Sequence, residues 1–218
     1  MKQISLSPSK LSLFKECKRC FWLDVNEGKK RPEGPFSSLP NGMDLVLKKY
    51  FDNFRYRNCL PPEIGEIKGS LFNDMEKLKV WRNNFKGLEY FDKRTGVVLR
   101  GALDDLFVAA DGSHVPIDFK TRGFPLKEDT TENYQHQMDI YCLLLEKNGI
   151  KAGDFAFLIF FYPIEAEGDG KFKFQCDVVK LKTSKQKGEN LFREAIKVLK
   201  GKKPKTNPDC PWCNWNKS

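Results

Sequence analysis

The residues 101–120, with the sequence GALDDLFVAADGSHVPIDFK, decide the fold of this protein. They contain most of two β-rich runs, 96–108 and 114–119, which are rich in valine, leucine, isoleucine and phenylalanine. Between the runs stand Ala110, Asp111 and Gly112, and Asp-Gly is a frequent turn sequence. The pattern predicts that the two runs pair as an antiparallel hairpin.

The register of this hairpin decides which carboxylates face each other. Residues directly opposite in an antiparallel pair point to the same face, and the sum of their numbers is constant along the ladder. A two-residue turn would place Asp105 opposite Asp118, whereas a three-residue loop would place Asp104 there. Because Gly112 suits the left-handed position of the longer loop, the sequence favours Asp104.

Facing carboxylates in this position indicate a metal site. Two carboxylates across a ladder repel each other unless a cation lies between them, and Mg²⁺ or Mn²⁺ takes such oxygen ligands. Lys120 follows Asp118 by two residues and therefore projects from the same face of the strand. Its ammonium group could orient a water or stabilise charge on a phosphate. The alternative is a solvated hairpin with ordinary surface charges.

The hairpin and the next predicted helix resemble the PD-(D/E)XK nucleases of the RecB type, a family that includes CRISPR-associated nucleases with an iron–sulfur cluster. GALD, at 101–104, resembles the G-x-x-D element, and IDFK, at 117–120, resembles the apolar-D-x-K element. The helix carries Gln137 and Tyr141 in the Q-x-x-x-Y pattern, whose spacing places both on one helical face. The resemblance implies an α/β, restriction-endonuclease-like fold with a central mixed β-sheet flanked by helices.

The same resemblance implies a divalent-metal-dependent DNA nuclease that hydrolyses phosphodiesters, as an exonuclease on single-stranded DNA or DNA ends. The implied catalytic residues are Asp104, Asp118, Lys120, Gln137 and Tyr141, and the implied ligands of Mg²⁺ or Mn²⁺ are Asp104, Asp118 and the Phe119 carbonyl. The family's histidine ligand from an earlier helix has no counterpart after Gly42. Asp44 is the nearby carboxylate that could replace it, while His114 and His136 are interpreted as loop or surface residues.

Seven cysteines in a sequence without an apolar leader predict reduced thiols or metal ligands rather than a disulfide scaffold. Two C-x-x-C pairs, Cys17 with Cys20 and Cys210 with Cys213, flank the chain. Four thiolates can hold a zinc ion or a [4Fe-4S] cluster, and the spacing does not separate these outcomes. The resemblance favours the cluster, although cluster-containing relatives divide their cysteines as one plus three. The alternatives are a free buried pair and a disordered tail.

Such a centre would join residues 1–25 to residues 205–218 within one nuclease-like domain spanning 1–218. The remaining patterns predict helices at about 8–23, 43–57, 74–84, 130–148 and 184–199, strands at 155–162 and 171–181, and a loop at 26–41.

The net charge of +9 and the pI of about 9.1 favour acidic partners such as DNA. Residues 180–205 are especially basic, which predicts either a DNA-contacting surface or a solvated helix face. No apolar run is long enough to cross a bilayer, so we expect a soluble, cytoplasmic protein without a membrane partner. We also expect a helicase or another DNA-processing protein as a partner. A catalytically inactive DNA- or partner-binding module on the same fold, and a metal-stabilised protein-interaction domain, are the alternative functions.

Overall fold

A computed structural model describes residues 3–32, 34 and 38–213 of the chain. The central sheet contains the strands β2 (Gly69–Leu71), β5 (Asp105–Ala109), β6 (His114–Thr121), β7 (Phe155–Gly168) and β8 (Lys171–Lys182). Their order is β2-β5-β6-β7-β8. β6 and β7 run parallel, and every other neighbouring pair is antiparallel. The predicted mixed sheet is therefore present.

A second, three-stranded sheet corrects one prediction. Its strands are β1 (Ser5–Leu6), β3 (Leu88–Asp92) and β4 (Val97–Gly101), in the order β1-β4-β3. The predicted single strand at 96–108 is wrong, because its first part is β4 in this sheet and its second part is β5 in the central sheet. Residues 102–104 cross between the sheets.

Hydrogen bonds to the backbone of residues 103 and 104 explain why the chain can leave one sheet and enter the other at this point. The Leu103 amide donates to the Trp81 carbonyl at 2.9 Å, and the Arg82 Nε donates to the Asp104 carbonyl at 2.8 Å. These groups are thus satisfied by the segment around Trp81 and do not need a ladder partner. The G-x-x-D element is a connection between sheets rather than part of one strand.

The helices are α1 (Pro8–Glu16), α2 (Lys18–Trp22), α3 (Ser38–Tyr56), α4 (Met75–Trp81), α5 (Glu132–Lys147) and α6 (Lys185–Lys200), with a π-helical turn at Leu23–Glu27 and a 3-10 turn at Pro62–Ile64. The predicted first helix is interrupted at Cys17, whose backbone is extended. The helix predicted from residue 43 begins earlier, at Ser38. The predicted loop at 26–41 is therefore shorter, and its residues 33 and 35–37 lie outside the described residues.

Helices cover both faces of the central sheet and place its alternating side chains in different surroundings. On one face, Ile117 and Phe119 of β6 pack into a cluster with Phe51 of α3, and the Phe51 and Phe119 ring centroids are 4.7 Å apart. On the other face, α5 packs against the sheet and α6 packs on α5. Asp118 and Lys120 alternate with the two apolar residues and meet α5.

Three of the ten Lys and Arg residues in the basic segment 180–205 form ion pairs within the fold. Lys185 pairs with Glu146, Arg193 with Asp92 and Glu189, and Lys203 with Glu27. These contacts link α6 and the residues after it to α5, β3 and the π-helical turn. Part of the basic charge therefore supports packing rather than remaining free for a ligand.

Candidate active site and cysteine centre

The register of β5 and β6 is the one predicted from the three-residue loop. Asp105 pairs with Ile117, and Gly112 has the left-handed φ of 77°. The next position beyond this ladder places Asp104 across from Asp118. The Phe119 amide donates to Asp104 Oδ2 at 2.9 Å, which fixes the Asp104 carboxylate beside the D-x-K strand.

Asp118 is a buried carboxylate with incomplete hydrogen bonding. Its side chain is 2% exposed, and its Oδ1 accepts a hydrogen bond from Gln137 Nε2 at 2.8 Å. Lys120 Nζ lies 2.5 Å from Oδ2, yet the contact is poorly directed and Oδ2 has no well-formed hydrogen bond among the described residues. Burial and the neighbouring Asp104 raise the pKa of Asp118 to about 7. A bound cation would stabilise this group.

Lys120, Gln137 and Tyr141 form one connected polar group. Lys120 Nζ lies 3.3 Å from Gln137 Oε1 and 4.7 Å from the ring centroid of Tyr134. Gln137 Nε2 also donates to the Tyr141 hydroxyl at 2.8 Å. Burial and the nearby Asp118 raise the pKa of Tyr141 well above its ordinary value, so its hydroxyl stays protonated. The structure thus brings the Q-x-x-x-Y helix face to the D-x-K strand.

Gly101 explains why α5 can approach so closely. A Cβ atom at this position would lie 2.9 Å from ring carbon Cε1 of Tyr141 and 2.9 Å from Leu144 Cδ1. Both distances are below normal contact, so a side chain here would push α5 away. The glycine of the G-x-x-D element therefore makes room for the Tyr141 ring.

Lys48 is a site residue that the motif comparison missed. Its Nζ lies 3.0 Å from Asp104 Oδ1 and 2.6 Å from Asp44 Oδ2, so α3 brings Asp44 to the acidic site together with an ammonium group. Burial lowers the pKa of Lys48, but Asp104 and Asp44 raise it overall, and the group stays charged. Burial and Asp104 raise the pKa of Asp44. The four-residue spacing of Asp44 and Lys48 was the available sequence signal.

The chemistry of these groups fits a divalent ion in part. Asp104 and Asp118 provide hard oxygen ligands, and Asp118 Oδ2 is buried without a well-formed hydrogen bond. In residues 3–32, 34 and 38–213, however, no three carboxylate or histidine ligand atoms converge there. His136 instead contacts Ser12 Oγ at 2.7 Å, and burial lowers its pKa to about 4. A divalent ion would have to share the carboxylates with Lys48 and Lys120.

Asp105, the other candidate from the register argument, lies in a structural network beneath Asp104. Its side chain is fully buried, it pairs with Arg55, and Arg82 Nη2 lies 3.0 Å from its Oδ2. Arg82 also binds Asp52 at 2.8 Å and 3.0 Å. The network joins α3 and the end of α4 to β5, and Arg82 holds the Asp104 carbonyl.

We expect Asp105→Ala to destabilise the fold strongly, because it leaves two largely buried guanidinium groups without one of their carboxylates. Breaking a buried ion pair from one side typically costs about 3–5 kcal/mol. Urea unfolding followed by circular dichroism would measure the change in the free energy of unfolding. The exposed turn residue Asp169, changed to Asn, is the control. A loss below about 1 kcal/mol, the size typical of an exposed ion pair, would contradict the structural role.

A cavity of about 600 Å³ opens beside Lys120, Gln137 and Tyr141. It lies between the start of α1, the end of β4 and α5, and its lining includes Arg100 and Asn133. The Tyr134 ring and the Lys120 ammonium lie at its wall. The polar group is therefore accessible from a wide, mostly polar cavity.

The second site is formed by the four cysteines Cys17, Cys20, Cys210 and Cys213, all of which are buried. Their sulfur atoms lie within 4.8 Å of one another. Among the described parts of the chain, this is the one group of three or more His, Cys, Asp or Glu side chains spaced to hold a metal ion. The centre links the N-terminal helices to the C-terminal segment. Residues 214–218 of the predicted cysteine region lie outside the described residues.

Further contacts join the same two segments. Arg19 Nη1 donates to the Pro204 carbonyl at 2.8 Å, and Asn26 Nδ2 donates to the Leu199 carbonyl at 3.1 Å. The Trp22 indole donates to the Gly201 carbonyl at 3.3 Å. The cysteine centre is therefore one part of a larger interface.

Comparison with known proteins identifies the family. Residues 5–218 match the model of the PD-(D/E)XK nuclease superfamily, and the chain belongs to that superfamily. The crystal structure of SSO0001 is similar, with 14% sequence identity, coverage of 98% of this chain and 84% of that chain, and a TM-score of 0.49. No curated protein matches the chain in sequence. Within the described residues, no helix is both long and apolar enough to span a membrane.

Proposed function

We propose that this protein is a divalent-metal-dependent DNA nuclease. The observation that carries the proposal is the buried Asp118 carboxylate, which lies across from Asp104 and contacts Lys120 while one of its oxygens lacks a well-formed hydrogen bond. A carboxylate pair with an adjacent ammonium group suits phosphodiester hydrolysis, and membership in a nuclease superfamily supports the assignment.

Asp104, Asp118 and the Phe119 carbonyl would hold the Mg²⁺ or Mn²⁺ ion, with Asp44 at the edge of the site. The ion would neutralise charge on the phosphate and lower the pKa of a bound water. Lys120 would donate a hydrogen bond to that water or to the phosphate. Gln137 positions both Lys120 and Asp118 through its amide, whereas Tyr141 supplies a protonated hydroxyl as a phosphate donor.

The cavity supports single-stranded DNA or a frayed DNA end as the substrate. Its volume of about 600 Å³ falls within the usual range of small-ligand sites and suffices for a nucleotide. The Tyr134 ring offers a surface on which a base can stack, and Arg100 offers a phosphate contact. A base in a duplex is already stacked and paired, so we propose an exonuclease that acts on unpaired ends.

One observation favours a second candidate, a catalytically inactive DNA- or partner-binding module. Lys48 contacts both Asp104 and Asp44, so an ammonium group already neutralises carboxylates that a metal would need. This candidate predicts DNA binding that does not require a divalent ion. In either case we propose that residues 1–218 act as one domain, with a helicase or another DNA-processing protein as partner and with a metal-bound cysteine centre joining the terminal segments.

A cleavage assay separates the two candidates. The full chain is incubated with end-labelled single-stranded and blunt double-stranded DNA, with Mn²⁺, with Mg²⁺ or with a chelator. We expect cleavage of the single strand from one end in the presence of metal, and its loss in Asp118→Asn but not in the exposed control Asp169→Asn. Tight DNA binding without cleavage would favour the inactive module. Equal cleavage by Asp118→Asn would overturn the proposed site.

Metal binding should depend on pH, because a proton must leave Asp118 before this carboxylate can bind an ion. Its pKa is raised to about 7, so the protonated form predominates at lower pH and competes with the metal. We expect the affinity for Mn²⁺ to rise by up to about tenfold per pH unit below pH 7 and to level off above it. Titrations with Mn²⁺ monitored by electron paramagnetic resonance would measure this change. An affinity that stays constant across this range would contradict it.

A further inference from the structure

The distances between the sulfur atoms of the cysteine centre limit which metal ion or cluster the four cysteines can bind. The Cys17 and Cys213 sulfurs are 3.5 Å apart, the Cys20 and Cys210 sulfurs are 3.6 Å apart, and all four lie within 4.8 Å. A disulfide bond has sulfur atoms about 2.0 Å apart, so these cysteines are free thiols or thiolates. Each observed pair joins one cysteine of the N-terminal segment to one of the C-terminal segment.

These distances match the geometry of a single tetrahedral ion. A Zn–S bond is about 2.3 Å long, which places the sulfurs of a regular tetrahedron about 3.8 Å apart. The observed separations of 3.5 Å and 3.6 Å, and the upper limit of 4.8 Å, surround that value. Four thiolates without an open coordination position are typical of structural zinc sites.

A [4Fe-4S] cluster, which the resemblance to CRISPR-associated nucleases implied, does not fit the same sulfurs. Each of its four protein thiolates binds a different iron atom and therefore lies outside the cluster. The distance between two such sulfurs spans the separation of two iron atoms. It is lengthened further because the two iron–sulfur bonds point outward, away from each other. The two sulfurs lie farther apart than two sulfurs on one ion, whereas the observed atoms all lie within 4.8 Å.

The surroundings of the sulfurs also suit a compact thiolate site. The Cys20 amide lies 3.5 Å from Cys17 Sγ, and the Asn207 amide donates to Cys213 Sγ at 3.3 Å. Arg31 Nη2 lies 3.6 Å from Cys210 Sγ. Such donors orient metal-bound thiolates and offset their negative charge.

We propose that Cys17, Cys20, Cys210 and Cys213 hold one tetrahedral zinc ion and not an iron–sulfur cluster. Both C-x-x-C pairs then bind the same ion, which explains the division of the cysteines as two plus two. The ion fixes the junction of α1 and α2 to the segment after α6, and it has a structural role. This assignment does not depend on nuclease activity.

Elemental analysis of the full chain tests the assignment. The protein is purified without oxygen from cells supplied with both iron and zinc, so that an iron–sulfur cluster would survive. We expect about one zinc ion per chain, no acid-labile sulfide and no visible absorption. Iron and sulfide in nearly equal amounts, with a brown colour, would overturn the assignment, as would a folded protein without any metal.

A matched pair of variants tests which cysteines bind the ion. Cys20→Ser should lose zinc, whereas the exposed Cys59→Ser should retain it. If Cys20→Ser does not fold, the wild-type protein with Co²⁺ in place of zinc provides the readout. We expect the intense visible bands of tetrahedral cobalt with thiolate ligands, and the weak spectrum of octahedral cobalt would overturn the proposal.

Discussion

Lys120→Ala should reduce DNA cleavage by about two to three orders of magnitude while leaving DNA affinity nearly unchanged. Removal of one positioned donor from a site that stabilises developing charge typically lowers kcat by about 10²–10³-fold. Lys120 lies 2.5 Å from Asp118 Oδ2 and 3.3 Å from Gln137 Oε1, so it is held beside the proposed metal site. The effect should therefore appear in kcat rather than in KM.

Single-turnover cleavage of labelled DNA at saturating Mn²⁺ would measure this loss. Lys79→Ala is a suitable control, because the Lys79 side chain is 66% exposed on α4 and, among the described residues, its ammonium group pairs only with Glu76. Circular dichroism would verify that both variants fold. A Lys120→Ala protein that cleaves at the control rate would remove Lys120 from the proposed mechanism.

Cys17→Ala should lower the melting temperature by about 10–20 °C. The proposed metal centre would close a loop that spans nearly the whole chain, and a cross-link of this length contributes about 5 kcal/mol in the chain-entropy model. For a chain of this size, 1 kcal/mol corresponds to about 2–4 °C. The contacts of Arg19, Trp22 and Asn26 with the C-terminal segment remain in the variant, so we expect a destabilised rather than an unfolded protein.

Thermal unfolding with and without a strong chelator would measure the effect. The control is Cys142→Ala, which removes a buried thiol of the apolar core outside the centre. The chelator should lower the melting temperature of the wild type and of the control but leave Cys17→Ala unchanged. Equal melting of Cys17→Ala and the control would contradict a stabilising metal centre.

The hairpin shows how far local sequence patterns could predict the site. The loop 110–112 contains a glycine suited to a left-handed φ, and this local preference sets the register that places Asp104 across from Asp118. The four-residue spacing of Gln137 and Tyr141 likewise places both on one face of α5. Such features depend on neighbouring residues in the chain, so the sequence alone could predict them.

The roles of Lys48 and Asp105 could be recognised only from the tertiary structure. Lys48 reaches Asp104 because α3 packs on the sheet through Phe51 and Phe119, which are far apart in sequence. Asp105 becomes structural because β5 places it against Arg55 and Arg82. No local pattern distinguishes a buried ion pair from a metal ligand, since both use the same carboxylate.

The residues of the hairpin thus determined by themselves how its strands pair. They also determined that Asp104, rather than Asp105, lies across from Asp118, and that Asp118 and Lys120 lie on the same side of their strand. The tertiary structure alone decided that the G-x-x-D element crosses between two sheets and that Lys48 joins the acidic site. It also decided that four cysteines from distant segments lie close enough to share one ion. The physical reason is that turn geometry and strand alternation act over a few residues, whereas the packing of helices on a sheet depends on the whole chain.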